Sequence, residues 1–203
     1  MNQVTLLLGG NQGDRRHLIQ QATELIRQRV GSVVASSSIH ETEPWGTFVD
    51  SSEFGVRNSE VLEPVAMTPH PAHRTPNFLN QALLVETELT AHEVLEEALV
   101  IEAVLGRLRP ATPQTAVHGI ADLPQRLYHS RPMDIDLIFF NDEVIDEPDL
   151  QIPHPRMHLR RFVLEPLAEI MPDYRHPVLG LTVRQLLERN PILNTITSKV
   201  LKN

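Results

Sequence analysis

Two aspartates stand one residue apart in a short apolar segment, and this spacing suits a cation site. Asp134 and Asp136 fall within residues 133–140, whose apolar and aromatic side chains predict a strand. Side chains alternate along a strand, so both carboxylates should face the same side, with their Cα atoms about 6.5 Å apart. Carboxylates this close resist joint ionisation, and a hard divalent cation such as Mg²⁺ relieves the repulsion. The alternative is an edge strand with two solvated aspartates, but the apolar surroundings favour metal binding.

Arginine supplies nearly all of the positive charge. Sixteen of the eighteen basic residues are arginine, and seven of these lie in one stretch: Arg107, Arg109, Arg126, Arg131, Arg156, Arg160 and Arg161. The planar guanidinium fork suits phosphate oxygens, and Arg131 lies three residues before the aspartate pair. Charge alone, however, favours a solvated surface with a compositional bias.

A histidine enclosed by prolines is a second candidate for phosphate contact. Pro153 and Pro155 flank His154 and restrict its backbone, and its imidazole can donate to a phosphate oxygen. A satisfied structural histidine is the alternative. Zinc is not favoured, because two histidine pairs lack the further ligands that a structural zinc site needs: His154 with His158, and His70 with His73.

Three further features carry weaker signals. Glu102 lies in the last predicted turn of a helix, where the dipole disfavours a carboxylate, so a ligand role and a solvated glutamate are equally supported. Phe78, Phe162, Trp45 and Asn80 together offer stacking surfaces and an amide for a flat heterocycle, although each phenylalanine alone is more typical of a core. The glycine-rich turn at residues 9–14 lacks the Lys and Ser/Thr of a P-loop and is interpreted as structural.

Composition sets the class of protein. The chain has 203 residues, 41% hydrophobic and 22% charged, no cysteine and a net charge of −8. These values are typical of a globular domain with its own core. They exclude disulfides and argue against non-specific nucleic-acid binding. No apolar run reaches membrane-spanning length, and the first residues do not resemble a signal peptide, so we expect a cytoplasmic protein.

The elements that must position these residues follow a β-α-β-β-α-β order. Strands are predicted at residues 4–8, 32–42, 78–89 and 133–140, with helices at 15–29 and 91–105, the second opened by a Thr90–Glu93 capping box. A turn at residues 141–142 and helices at 162–170 and 183–187 follow. This order predicts an α+β antiparallel sheet with helices on one face. Residues 43–77 and 107–130 read as long loops, and we expect one domain at 1–190 with a loosely held tail at 191–203.

Six motifs in this order resemble 6-hydroxymethyl-7,8-dihydropterin pyrophosphokinase, over residues 6–187. They occupy residues 8–14 (LGGNQGD), 41–46 (ETEPWG), 77–80 (NFLN), 101–109 (IE, then LGRLR), 131–136 (RPMDID) and 153–157 (PHPRM). Several motifs in the right order are far more specific than any single one. Departures from the family pattern are Leu99, Tyr128, the His129–Ser130 step, and longer loops at 47–75 and 110–127.

The resemblance implies a ferredoxin-like βαββαβ core with an extra hairpin, and two Mg²⁺ ions held by Asp134 and Asp136. It implies pterin contacts from Thr42, Pro44, Trp45, Phe78, Asn80 and Phe162. It implies ATP and phosphate contacts from Glu102, Arg107, Arg109, Tyr128, Arg131, Leu137, Leu150, Gln151, His154 and Arg160. Asp134, Asp136, Arg107, Arg131 and His154 carry the catalytic roles in this scheme.

The implied reaction moves a diphosphate from ATP to the hydroxymethyl group of the pterin and releases AMP, within folate biosynthesis. The partners are then ATP and the pterin, without nucleic acid or membrane. A monomer is expected, with a homodimer as the alternative. Two rival functions remain open at this point: a binding module without turnover, and a γ-phosphate kinase that releases ADP.

Overall fold

A computed structural model describes residues 1–43, 76–107 and 130–190, together with the backbone of Lys199–Leu201. Four of the expected site residues, Pro44, Trp45, Arg109 and Tyr128, lie outside these ranges, as do most of the two expected loops. Within the described part of the chain, no helix is long and apolar enough to cross a bilayer.

The described residues form eight strands, four helices and one 3₁₀ turn. The strands are β1 (Asn2–Gly10), β2 (Ser32–Ser36), β3 (Ile39–Thr42), β4 (Phe78–Thr87), β5 (Asp134–Phe140), β6 (Ile145–Asp146), β7 (Gln151–Ile152) and β8 (Lys199–Leu201). The helices are α1 (Arg15–Arg29), α2 (Ala91–Val104), α3 (Arg161–Ile170) and α4 (Val183–Arg189), and the 3₁₀ turn is Met157–Leu159.

One antiparallel sheet organises the fold. Its order is β5-β1-β4-β3-β8, and β2 also pairs with β4. The chain order β1-α1-β2/β3-β4-α2-β5 confirms the expected ferredoxin-like core. The single strand expected at residues 32–42 is divided at Ser37, because the Ser37 hydroxyl accepts the Ala82 N–H at 3.0 Å in place of a backbone carbonyl. Residues 199–201 were expected in a loose tail, but they add an edge strand beside β3.

Two apolar cores lie on opposite faces of this sheet. Helices α1 and α2 cover one face, where Leu6, Leu8 and Leu83 are buried. Helices α3 and α4 cover the other face and enclose Leu7 and Ala82. The expectation of helices on one face only was therefore wrong. Consecutive residues of a strand point to opposite faces, and the second face also carries apolar side chains, such as Leu7 of β1, Ala82 of β4 and Ile138 of β5, so each face requires its own cover.

The predicted helix boundaries are largely confirmed by their caps. Asp14 accepts the His17 N–H at the start of α1, and Thr90 and Glu93 form the predicted capping box of α2. Gly106 follows α2 with a φ of +92°, a conformation that favours glycine at a helix end. Asn141 adopts a φ of +45° directly after β5, in the predicted turn, and the following hairpin pairs β6 with β7.

Candidate active site

A cleft opens on the α3 face of the sheet, where β1, β3, β4 and β5 approach the start of α3. Eight of the expected site residues line it: Thr42, Phe78, Asn80, Arg131, Asp134, Asp136, Arg160 and Phe162. Leu7, Gly9 and Glu43 complete the described lining. The fold thus brings residues from five distant parts of the chain to one place.

The aspartate pair sits on β5 beside the end of β1. Asp134 and Asp136 pair with Gly9 and Leu7 across the strands, and both side chains face the cleft, as the alternation predicted. Arg131 lies 2.8 Å from Asp134 Oδ2, and Arg107 donates to Asp134 Oδ1. Two guanidinium groups therefore neutralise the first carboxylate.

Asp136 is in a different electrostatic position. Burial and then the charge of Asp134 raise its pKa to about 7, and Arg131 and Arg160 offset this only in part. A carboxylate held in this way gains from any added positive charge. Two carboxylates on one face, one of them poorly compensated, form a donor set that fits Mg²⁺.

Glu102 connects helix α2 to the aspartate strand. It is 2% exposed, and its carboxylate accepts the Ile135 N–H at 2.8 Å and a hydrogen bond from Arg107. The solvated alternative for Glu102 is therefore excluded. Its contacts fix both the backbone of β5 and the guanidinium that meets Asp134.

The opposite wall of the cleft combines aromatic and amide groups. Asn80 Nδ2 donates to Thr42 Oγ1 at 2.9 Å, and Phe78 is paired with Thr42 across β3 and β4. Phe162 enters from α3, with the Arg160 guanidinium 5.5 Å from the centre of its ring. This wall has the stacking surfaces and hydrogen-bonding edge that a flat heterocycle requires.

His154 is half-buried near the arginines of the cleft without lining it. Its Nδ1 accepts the Arg156 N–H at 3.3 Å, which leaves Nε2 as the donor of the neutral ring. Burial, followed by the charges of Arg160 and Arg156, lowers its pKa to about 4.

His154 is therefore expected to stay neutral, and to show no titration between pH 5.5 and 8. The measurement is the pH dependence of its imidazole chemical shifts by NMR, with His154→Gln used to assign the resonance. Because its folded pKa lies below the unfolded value of 6.5, the stability it contributes is complete above pH 6.5. That contribution falls as pH drops towards 4, and a shift midpoint near pH 6.5 in the folded protein would contradict this assignment.

Three expected ATP contacts lie away from the described cleft. Leu137 and Leu150 are buried in the core between the sheet and helices α1 and α2. Leu137 follows Asp136 directly and so points to the other face of β5. Gln151 is exposed on β7, where it donates to Asp146 at 2.9 Å.

Asn11 is a site-shaping residue that sequence reasoning missed. It is 1% exposed, its side-chain oxygen accepts the Arg131 N–H at 2.9 Å, and its backbone N–H donates to the Arg131 carbonyl at 3.1 Å. Its amide also donates to Ser130 Oγ at 3.1 Å. The motif at residues 8–14 therefore positions Arg131, a role that its glycines and polar residues alone did not indicate.

Gly10→Ala is expected to destabilise the protein by about 1–3 kcal/mol through overpacking at this junction. A Cβ at Gly10 would lie 2.2 Å from the Pro132 carbonyl oxygen, so the segment that carries Arg131 must shift. Denaturant unfolding measures the loss. Gly180→Ala is the matched control: its φ of +67° strains any side chain, but no atom lies within 4 Å of an added Cβ. A Gly10→Ala loss below that of Gly180→Ala would contradict the steric argument.

Comparison with known proteins places the chain. A family model described as 7,8-dihydro-6-hydroxymethylpterin-pyrophosphokinase (HPPK) matches residues 5–172. A Porphyromonas gingivalis (strain W83) protein named 2-amino-4-hydroxy-6-hydroxymethyldihydropteridine pyrophosphokinase is 33% identical over 175 residues, 86% of this chain and 93% of that protein. A Bacillus subtilis (strain 168) protein of the same name is 34% identical over 174 residues, 84% of this chain and 79% of that protein.

The same fold occurs in a solved structure of Plasmodium falciparum HPPK-DHPS with pteroate. Its TM-score is 0.61 at 18% identity, over 93% of this chain and 44% of that longer chain, so the likeness concerns the fold. The matched residues 5–172 contain the described cleft and both of its aspartates. The chain belongs to the 7,8-dihydro-6-hydroxymethylpterin-pyrophosphokinase family.

Proposed function

We propose that the chain transfers diphosphate from ATP to 6-hydroxymethyl-7,8-dihydropterin, giving AMP and the pterin diphosphate in folate biosynthesis. The observation that carries the proposal is the cleft itself. A half-buried pair of carboxylates with arginines stands opposite a wall of amide, hydroxyl and aromatic groups. One side suits a metal–triphosphate, and the other suits a flat heterocycle.

The pterin is proposed to bind between Phe78 and Phe162, with Asn80 and Thr42 at its edge. The Asn80–Thr42 hydrogen bond supports this role, because it leaves the Asn80 side-chain oxygen to accept from an amino or ring N–H of the pterin. Pro44 and Trp45 are proposed to extend the same edge.

Asp134 and Asp136 are proposed to hold two Mg²⁺ ions. When bound, these ions polarise the hydroxymethyl group of the pterin and neutralise the phosphate oxygens of ATP. Asp136 supports this assignment, because desolvation and the neighbouring Asp134 raise its pKa and the charges of Arg131 and Arg160 offset them only in part. Arg107 and Arg131 already contact Asp134, so they stand beside the phosphates that such ions would bring.

In the proposed reaction, the hydroxymethyl oxygen attacks the β-phosphorus of ATP. The bond between that phosphorus and the oxygen bridging to the α-phosphate breaks, AMP leaves, and the hydroxyl proton passes to water or to Asp134. Arg107, Arg131 and Arg160, with the neutral His154, stabilise the charge that develops on the leaving phosphate. Arg109, Tyr128, Leu137, Leu150 and Gln151 are proposed to contact the nucleotide, and Glu102 to steady Arg107.

We further propose that residues 1–190 form one catalytic domain, to whose sheet Lys199–Leu201 add an edge strand, and that the protein is a cytoplasmic monomer that acts on small molecules. The absence of cysteine agrees with a reducing compartment, and the net charge of −8 argues against nucleic acid as a partner.

Product analysis tests the proposed function. With ATP, Mg²⁺ and the hydroxymethyl dihydropterin, the protein is expected to form AMP and the pterin diphosphate in equal amounts, and Asp134→Ala is expected to form neither. ADP as the nucleotide product would indicate a γ-phosphate kinase, and tight pterin binding without AMP would indicate a binding module. AMP formation that survives Asp134→Ala would remove this aspartate from the mechanism.

A further inference from the structure

His40 lies buried between strand β3 and helix α3, behind the cleft. Its side chain is 5% exposed, and its Nε2 lies 2.6 Å from Glu169 Oε1. Its Nδ1 lies 4.0 Å from Glu165 Oε2, and no hydrogen-bond partner for this buried nitrogen is found within the described residues. Two carboxylates of one helix therefore face the two nitrogens of a single imidazole.

Hydrogen bonds and an ion pair hold the two carboxylates of α3 beside His40. Burial opposes ionisation of Glu169, but hydrogen bonds from the Ser38 N–H and His40 outweigh it, and the pKa of Glu169 is lowered. Glu165 is paired with Arg161 at 2.9 Å on the same helix. Because a buried polar atom without a partner is costly, the Glu165 carboxylate 4.0 Å away is a contact that α3 offers to Nδ1.

His40 connects the two sides of the pterin wall. On β3 it lies two residues before Thr42, on the same face of the strand, and it is directly paired with Asn80 of β4. On α3, Phe162, Glu165 and Glu169 are spaced i, i+3 and i+7, which places them along one face of the helix. The residues that hold His40 are thus fixed to the same elements that carry Thr42, Asn80 and Phe162.

We propose that His40 is a positioning residue for the pterin subsite. Through Glu165 and Glu169 it sets the separation between the strand pair that carries Thr42 and Asn80 and the helix that carries Phe162. The inference rests on the proposed function, because it concerns the substrate that this wall receives. It assigns His40 no contact with substrate.

His40→Phe tests this role, since it keeps a ring of similar size and removes both polar arms. The KM for the pterin is expected to rise about tenfold, as the loss of roughly one buried hydrogen bond implies, while the KM for ATP stays within about twofold of the parent value. His40→Gln retains one donor towards Glu169 and is expected to recover most of the pterin affinity. Glu169→Gln is expected to weaken pterin binding in the same direction as His40→Phe.

His92→Phe is the matched control. His92 forms an exposed pair with Glu147 at 3.0 Å, between α2 and the β6–β7 hairpin, and it does not line the cleft. The same chemical change there is expected to leave both KM values unchanged. The dissociation constant of the pterin, measured with Mg²⁺ and a non-hydrolysable ATP analogue, gives a readout that does not depend on turnover.

A selective rise in pterin KM that His40→Gln largely reverses would support the inference. A pterin KM within about twofold of the parent in His40→Phe, or an equal rise in both KM values, would overturn it and leave a structural role only. If His40→Phe does not fold, an unchanged pterin KM in Glu169→Gln would overturn it. A parent protein that releases no AMP would instead contradict the proposed function.

Discussion

Replacing Asp136 with asparagine is expected to reduce AMP formation by about 10³-fold or more and to make the ligand-free protein more stable at pH 8. The first effect follows from loss of a cation ligand. A bound cation stabilises the transition state by several kcal/mol, and a loss on this scale slows the reaction by about 10³-fold or more. The second follows from burial, because the folded protein holds this carboxylate at a pKa of about 7 against an ordinary value of 3.8.

The sign of the pH dependence follows from these two values. Folded Asp136 binds a proton more tightly than unfolded Asp136, so its contribution to stability is complete below pH 3.8 and is lost as pH rises through 7. His154 has the opposite sign below pH 6.5. His154 adds little pH dependence above pH 6.5, where most of the loss at Asp136 has already occurred, so asparagine is expected to stabilise by about 3 kcal/mol at pH 6.5 and by about 4 kcal/mol at pH 8.

Chemical denaturation of parent and Asp136→Asn at pH 6.5 and 8, without metal, measures this difference. With Mg²⁺ and a non-hydrolysable ATP analogue, the order is expected to reverse, because the ions stabilise only the folded parent. A variant that is less stable than the parent at both pH values, or that keeps its AMP formation, would contradict the role given to Asp136.

Arg107→Ala is expected to lower AMP formation by about 10²–10³-fold and stability by about 1–3 kcal/mol. Arg107 contacts the buried Glu102 and the aspartate Asp134 at once, so its removal takes one guanidinium from two carboxylates. The stability loss arises mainly at Glu102, which is 2% exposed. The activity loss arises at the phosphates.

A second change separates these two effects. Glu102→Gln removes the buried charge, so the double variant Arg107→Ala/Glu102→Gln is expected to regain most of the lost stability while AMP formation stays low. Arg29→Ala is the matched control, because Arg29 forms a comparable pair with Glu97 at 2.5 Å on the exposed sides of α1 and α2. Recovery of AMP formation in the double variant would show that Arg107 acts only through folding.

Local sequence patterns predicted most helices and strands of this fold, because the residues that define each of these elements are close together in the sequence. The apolar spacing of α1 and the capping box at Thr90 depend on neighbours within one or two turns, and both were confirmed. The packing of helices α3 and α4 on the second face of the sheet could not be predicted in this way. It depends on which residues of β1 and β4 share a face after pairing, and pairing joins residues that are distant in sequence.

The residues of the candidate site also divide into those with a local sequence signal and those whose role depends on distant contacts. Alternation along β5 placed Asp134 and Asp136 on one face from sequence alone. Glu102 carried only a weak local signal, because its importance comes from the Ile135 N–H and from Arg107, which the fold brings to it. Asn11 and His40 had no local signal of function, since their partners at Arg131 and Glu169 are about 120 and 129 residues away.

A crystal structure with Mn²⁺ in place of Mg²⁺ and a non-hydrolysable ATP analogue tests the cation site most directly. Anomalous scattering is expected to place metal within ligand distance of both Asp134 and Asp136, between those carboxylates and the phosphates. Metal bound elsewhere, with both aspartates still held only by arginines or facing solvent, would contradict the account.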